Sequence, residues 1–164
     1  MTLDIVSFTK VSLPYGGLGN MAPYPVVFEG KTWRTSETLE QGLRFLAVGR
    51  EDIAEEIRAS KSPMGAKMVA KKNYALLGDR ASAAAKREDL DRMRTVLRLK
   101  FEAHPALRAE LLSTGDALLI EDVSARPSAS GLYWGMARNG DGSWRGENRL
   151  GILLGELRSS LRNG

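Results

Sequence analysis

The chain has 164 residues, of which 43% are hydrophobic, 27% charged and 7% aromatic, a length suited to one domain with a sizeable core. The composition excludes disorder, collagen-like repeats and a disulfide scaffold; with no Cys and only His104, it also excludes thiolate catalysis, iron–sulfur clusters and multi-histidine metal sites. The formal net charge is +4, ordinary for a basic globular domain, and no apolar run approaches the roughly 18 residues needed to cross a membrane.

The opening MTLDIVSF carries an acid where a secretion signal has positive charge, so a cytoplasmic location is expected. Within it DIVSF (4–8) is short, alternating and β-branched, and reads as a strand. LPYGGLGNMAPYP (13–25) reads as a loop whose glycines let backbone approach a ligand closely. PVVFEGKTW (25–33) reads as a hairpin turning at Glu29-Gly30. Ser36 is a good N-cap, and Leu39, Leu43 and Leu46 give the following helix one apolar face. Residues 51–60 read as a short helix carrying Ile53 and Ile57, and Ser62-Pro63 opens a third helix.

Gly78 breaks the chain before an alanine-rich stretch, after which Leu90, Met93, Leu97 and Phe101 predict an amphipathic helix over 86–102. His104-Pro105 opens a further helix with Leu107 and Leu111, which ends before Gly115. ALLIE (117–121) reads as a buried strand, and 125–131 and 139–146 read as loops. Asn148 is expected to cap a last helix carrying Leu150, Leu153, Leu154, Leu157 and Leu161, in which the Gly151/Gly155 spacing is read as close packing. Few strands and many helices in mixed order predict an α+β fold: a single compact, mainly helical domain spanning 1–164 with a few short strands.

Familiar catalytic signatures are absent: there is no P-loop, dinucleotide-binding glycine motif, serine-hydrolase elbow or HExxH, and GDG at 140–142 lacks the acidic spacing of a calcium loop. What remains is a set of polar residues beside aromatics and glycines. Glu37 falls in the first turn of a helix, where the positive helix end favours its ionised form and burial favours the protonated one. Gln41 and Arg44, four and seven residues on, share roughly that side of the helix. Asn20 comes from the first glycine loop, Trp134 and Gly135 follow a later one, and Asn148 opens the final helix. A carboxylate, a basic side chain, amides and an indole suit a nitrogenous ring bonded to a phosphorylated sugar. The plainer alternative is a capping Glu and a packed Trp.

Charge is unevenly spread, at −3 over residues 1–57, +8 over 58–108 and −1 over 109–164. A basic middle suits a phosphate-bearing partner, or simply solvates helices. Nucleic-acid modules interleave such charge with stacking aromatics. Residues 58–108 hold only Tyr74 and Phe101, so nucleic acid finds weak support as a partner.

Taken together, seven collinear pieces resemble the NADAR (NAD- and ADP-ribose-associated) family of YbiA-like N-glycosidases. GGLGNMAPYPVVFEGKTWRTSE resembles the family's opening loop, hairpin and S-x-E helix start, and TLEQGLRF its next turns. SPMGAK, MRTVLRLKF, HPALRAELLSTGDALLIE, YWG and GENRLGILLGELRSSLR follow in the family's order. The resemblance implies hydrolysis of a bond between nitrogen and ribose without a metal or redox cofactor. The implied substrates are small molecules: a phosphoribosylamino-pyrimidine of riboflavin synthesis, or ADP-ribose on guanine. It makes Glu37 the catalytic carboxylate and Trp134 a further catalytic-site residue, and places Asn20 and Arg44 on ribose or phosphate; Gln41 and Asn148, grouped with them by position, are expected to bind substrate as well.

Such chemistry develops oxocarbenium-like charge on the sugar and needs a proton on the departing nitrogen. At three points the chain departs from the family pattern. Thr38 follows Glu37 where the family has His; Ala84-Ala85 stands for its Asp-Trp; and Gly131 replaces an Asp three residues before the Trp. Trp144 is a candidate replacement for the absent tryptophan. The alternative expectation is therefore a non-catalytic ADP-ribose-binding module of the same fold.

Overall fold

The computed structural model describes residues 3–164, and its elements follow the sequence pattern closely. In chain order they are β1 (Ile5–Phe8), β2 (Val26–Phe28), β3 (Lys31–Trp33), α1 (Ser36–Leu46), α2 (Glu51–Ala59), α3 (Pro63–Lys72) and α4 (Ala83–Ala103). Then come α5 (Pro105–Ser113), β4 (Leu118–Glu121), α6 (Ala129–Trp134), β5 (Ala137–Arg138), β6 (Trp144–Arg145) and α7 (Arg149–Asn163). The fold is α+β and mainly helical, with its short strands paired in two-stranded sheets. The chain divides into two compact units, Asn20–His104 and a discontinuous one that joins the residues up to Gly19 to Pro105–Gly164.

In the continuous unit, β2 and β3 form the expected antiparallel hairpin. Glu29 (φ 49°) and Gly30 (φ 77°) both turn left-handed, the requirement of the two-residue turn that matches strand twist. The hairpin delivers Trp33 into a core with Leu39, Phe45, Ile53, Ile57 and Val96, where Ala54, Ala66 and Ala70 allow close helix approach. Each large side chain so buried contributes roughly 1.5–3 kcal/mol. Helix α1 packs against α2, α3, α4 and the hairpin. It is therefore enclosed on nearly every side, and polar residues along it are driven inside with its leucines.

Two local expectations are corrected here. The cap of α1 is Thr35, whose extended backbone lets its hydroxyl accept the Thr38 N–H at 3.1 Å; Ser36 is already helical. Helix α4 starts at Ala83, ahead of 86, because Ser82 accepts the Ala85 N–H at 3.1 Å and alanine carries high helix propensity.

In the discontinuous unit, β1 and β4 pair in parallel, with Phe8 opposite Glu121. Leu119 and Ile120 of β4 are buried, as are Leu150, Leu153 and Leu154 of α7, which packs on that strand. A β-carbon on Gly151 would collide with the Leu119 carbonyl, so this glycine sets the approach of α7; around Gly155 there is open space. The expected loops 125–131 and 139–146 are partly ordered. Ser128 accepts the Gly131 N–H at 3.0 Å and starts the one-and-a-half turns of α6, too short to show an apolar stripe. Strands β5 and β6 close a hairpin on which Arg138 stacks 4.3 Å from the Trp144 ring.

Candidate active site

Glu37 sits half-buried in the first turn of α1. Its backbone N–H donates to the Asn20 carbonyl at 3.0 Å, which ties the end of the glycine-rich loop to the start of the helix. The Asn20 amide nitrogen donates to Met93 Sδ at 3.3 Å, while its Oδ1 is buried without a protein hydrogen bond. Such an unmatched buried acceptor is costly in a closed core.

From Glu37 a continuous set of contacts runs along α1. Gln41 Nε2 donates to Glu37 Oε1 at 3.0 Å. Gln41 Oε1 accepts from Arg44 Nη1 and from the Tyr74 hydroxyl, each at 3.3 Å. Arg44 Nε donates to Glu40 Oε1 at 2.8 Å and lies 3.3 Å from Asp89 Oδ1 on α4. Asp89 is in turn clamped by Arg92, at 2.7 Å, and by Arg80. Two guanidiniums lie near the Tyr74 ring, Arg44 at 6.0 Å and Arg80 at 5.8 Å from its centre.

Electrostatics follow from this enclosure. Burial pushes the Glu40 carboxyl up to about 7, against the pull of Arg44 and with help from Glu37 and Asp89. Burial would lower the Arg44 pKa, but Glu40 and Asp89 outweigh it and hold the guanidinium firmly charged. Asp89 feels burial too, yet Arg44, Arg92 and Arg80 keep its carboxyl below the ordinary range. One guanidinium serves two carboxylates, and Asp89 holds the charged share while Glu40 is the readily protonated partner. Elsewhere on α4, burial brings Lys100 down to about 7; its ammonium lies 5.7 Å from the Tyr24 ring and 5.6 Å from that of Phe101. His104 caps the far end of α4, its Nε2 2.7 Å from the Pro25 carbonyl and its ring edge-on to Tyr24.

Glu37, Gln41 and Arg44 are thus joined in one hydrogen-bonded run, with Asn20 attached through its backbone. Trp134 and Asn148 belong to the discontinuous unit. Trp134 ends α6, half-buried and edge-on to Tyr133 at 5.0 Å. Asn148 occupies the N-cap position of α7 in a left-handed conformation (φ 52°), but its side chain makes no cap bond. Instead its Nδ2 donates to the Leu119 carbonyl at 2.8 Å and its Oδ1 accepts the Glu121 N–H at 3.4 Å, so the amide completes the edge of β4. Its backbone N–H donates to the Gly135 carbonyl at 3.2 Å, linking it to the Trp134-Gly135 corner.

Sequence reasoning missed Glu40, Tyr74, Arg80, Asp89 and Arg92. Glu40 and Arg44 carried a readable signal, an acid four residues before a base on one helix. Asp89 did too, standing one turn before Met93 on the apolar stripe of α4. Nothing local marks Tyr74. Among the described residues, no group of three or more Asp, Glu or His side chains is arranged to hold a metal ion, and no helix is long and apolar enough to cross a membrane.

Residues 7–162 match the NADAR domain. Over 157 residues the chain is 40% identical to the N-glycosidase YbiA of Escherichia coli strain K12, covering 96% of this chain and 88% of that protein. It is 32% identical over 163 residues to the N-glycosidase Npun_R5314 of Nostoc punctiforme, covering 96% and 93%. Over 108 residues it is 32% identical to the riboflavin biosynthesis protein PYRR of Arabidopsis thaliana, 66% of this chain but 16% of that one. The NMR structure of E. coli YbiA aligns with a TM-score of 0.75 and 38% identity over 99% of this chain and 88% of that one. With one domain profile running through both units and relatives matched almost end to end, the chain belongs to the NADAR domain family.

Proposed function

We propose that this protein is an N-glycosidase that hydrolyses the C–N bond between a nitrogenous base and a phosphorylated ribose, with Glu37 as its catalytic carboxylate. Its relatives are named N-glycosidases, and one shares its name with riboflavin biosynthesis. The observation that carries the reading is the setting of Glu37: a half-buried carboxylate in a helix's first turn, with one oxygen held by Gln41 Nε2 at 3.0 Å. In this reaction the base departs with the bonding electrons and takes a proton, while water supplies hydroxyl to ribose C1′. A fixed carboxylate stabilises the positive charge that grows on the sugar and accepts the proton of the attacking water. Trp134 is assigned to stack the base, and Asn20 and Arg44 to the sugar-phosphate.

Two substrates are proposed, a phosphoribosylamino-pyrimidine and ADP-ribosyl-guanine. Incubation with each, followed by assay of the freed sugar phosphate, is expected to show turnover of at least one, with loss of about 100-fold or more in Glu37→Gln. Turnover that survives this substitution overturns the assignment of the carboxylate. A second reading, a non-catalytic ADP-ribose-binding module, draws on Thr38, whose hydroxyl is engaged with Thr35 Oγ1 at 2.9 Å where the family pattern has His. Saturable binding of ADP-ribose without cleavage of either substrate favours that reading, and neither binding nor cleavage removes both.

A further inference from the structure

The side-chain amide of Gln41 is engaged at both ends by groups whose hydrogen-bonding character leaves it only one orientation. Arg44 Nη1 can only donate, so the amide atom facing it at 3.3 Å must be the oxygen. The Tyr74 hydroxyl accepts from the same Arg44 Nη1 at 3.4 Å and donates to Gln41 Oε1 at 3.3 Å, closing a triangle with one consistent direction. The NH2 end must then face Glu37, whose Oε1, 3.0 Å away, can only be an acceptor. Arg44 cannot turn away, because its Nε is fixed by Glu40 and Asp89, and Asp89 is clamped by Arg80 and Arg92. The Tyr74 ring lies near both the Arg44 and the Arg80 guanidinium, which favours its position.

We propose that Tyr74 is a positioning residue for Glu37: with Arg44 it locks the Gln41 amide so that its NH2 presents Glu37 as an oriented hydrogen-bond acceptor. Tyr74 acts through Gln41 and touches no reacting atom. This assigns Gln41 to holding the carboxylate rather than to contacting the sugar-phosphate, and it rests on the reading of Glu37 given above. It also explains why a helix so enclosed carries Gln41 and Arg44 inward at a site that leucine would fill more simply. Each inward polar atom sets the direction of the next, a property that apolar packing lacks.

The test compares wild type with Tyr74→Phe, Gln41→Met and the double variant. Tyr74→Phe keeps the ring beside the two arginines and removes only the hydroxyl. Its kcat on the cleaved substrate is expected to fall about 3- to 10-fold with KM unchanged, the loss of one hydrogen bond expressed as a rate. The double variant is expected to be no slower than Gln41→Met alone, because a group acting only through Gln41 has nothing left to act on. A purely structural Tyr74 gives additive losses instead, and that result overturns the proposal. An activity-independent reading comes from the side-chain NH2 resonances of Gln41 in nitrogen-15 spectra. They are expected to be distinct and exchange-protected in wild type, and to lose that protection in Tyr74→Phe. Equal protection in wild type and Tyr74→Phe refutes the lock whether or not turnover is found. Turnover that survives Glu37→Gln strikes the functional reading separately.

Discussion

Trp33 lies so close over Gly42 that a β-carbon on that glycine would overlap the six-membered ring of the indole. Alanine at a mid-helix glycine ordinarily adds stability, by about 0.5–1 kcal/mol. Here the indole is only 2% exposed and has no room to withdraw. Gly42→Ala is therefore expected to destabilise by about 1–3 kcal/mol in urea denaturation. Gly155→Ala on α7, where nothing stands within 4 Å, is expected to stabilise instead. Equal effects at the two positions would contradict this packing.

At the start of α1 the two adjacent hydroxyls have opposite standing. Thr35 Oγ1 accepts the Thr38 N–H, while Ser36 Oγ is buried with no hydrogen-bond partner. Thr35→Ala is expected to cost about 1 kcal/mol as a lost cap. Ser36→Ala removes an unsatisfied polar atom and is expected to be neutral or mildly stabilising. Denaturation midpoints of the two variants check the assignment, and a larger loss at Ser36 would reverse it.

Glu40 and Lys100 give stability opposite pH slopes. The Glu40 carboxyl is raised from 4.5 to about 7 in the fold. Its contribution is complete below 4.5 and is lost as pH rises through 7, because the unfolded chain releases that proton first. Lys100 is lowered from 10.5 to about 7. Between those values the unfolded chain holds the extra proton, so stability rises with pH. Denaturation midpoints at pH 5, 7 and 9 are expected to pass through a minimum near 7. The Glu40 limb is worth on the order of 3 kcal/mol and vanishes in Glu40→Gln; the alkaline limb vanishes in Lys100→Met. A monotonic profile in wild type would disprove the pairing.

Asn148 combines a left-handed backbone with an amide that bonds both ends to β4. Asn148→Ala is expected to lose about 2–3 kcal/mol, from the two bonds and the strained conformation together. Asn148→Gly should recover about 1 kcal/mol of that, since glycine accepts the conformation without the bonds. An unchanged denaturation midpoint in Asn148→Ala alongside a raised KM would mark a substrate contact rather than a structural one.

Elements whose signals are local were legible. The Glu29-Gly30 turn, the Ser62-Pro63 helix start, the stripe of α4 and the buried strand Leu118–Glu121 all follow from neighbouring residues. The misread segments are those where local signals are degenerate. Thr35 and Ser36 are chemically equivalent caps, and only the direction in which the chain leaves β3 selects the first. A six-residue helix such as α6 shows no periodicity to read. At the site, Glu37, Gln41 and Arg44 could be grouped by helical spacing. Tyr74 could not, because it reaches them from a 3-10 turn after α3.

By itself the sequence determined the fold class, the family and the exclusion of thiol and multi-histidine chemistry, since periodicity, collinear motifs and residue counts need no coordinates. It also grouped one carboxylate, one amide and one guanidinium on a helix. Only the tertiary structure decided what those groups do to one another. Enclosure of α1 by three helices and a hairpin removes water from Glu40 and Arg44. Asp89 arrives from α4 to share the guanidinium, and the Tyr74 hydroxyl joins Arg44 at the Gln41 amide oxygen. Burial and cross-element hydrogen bonds depend on distances between residues far apart in the chain, and spacing along one helix does not contain them. The net charge of +4 changes its meaning in the same way: part of the basic middle is spent inside the protein, where Arg80 and Arg92 hold Asp89 beside Arg44.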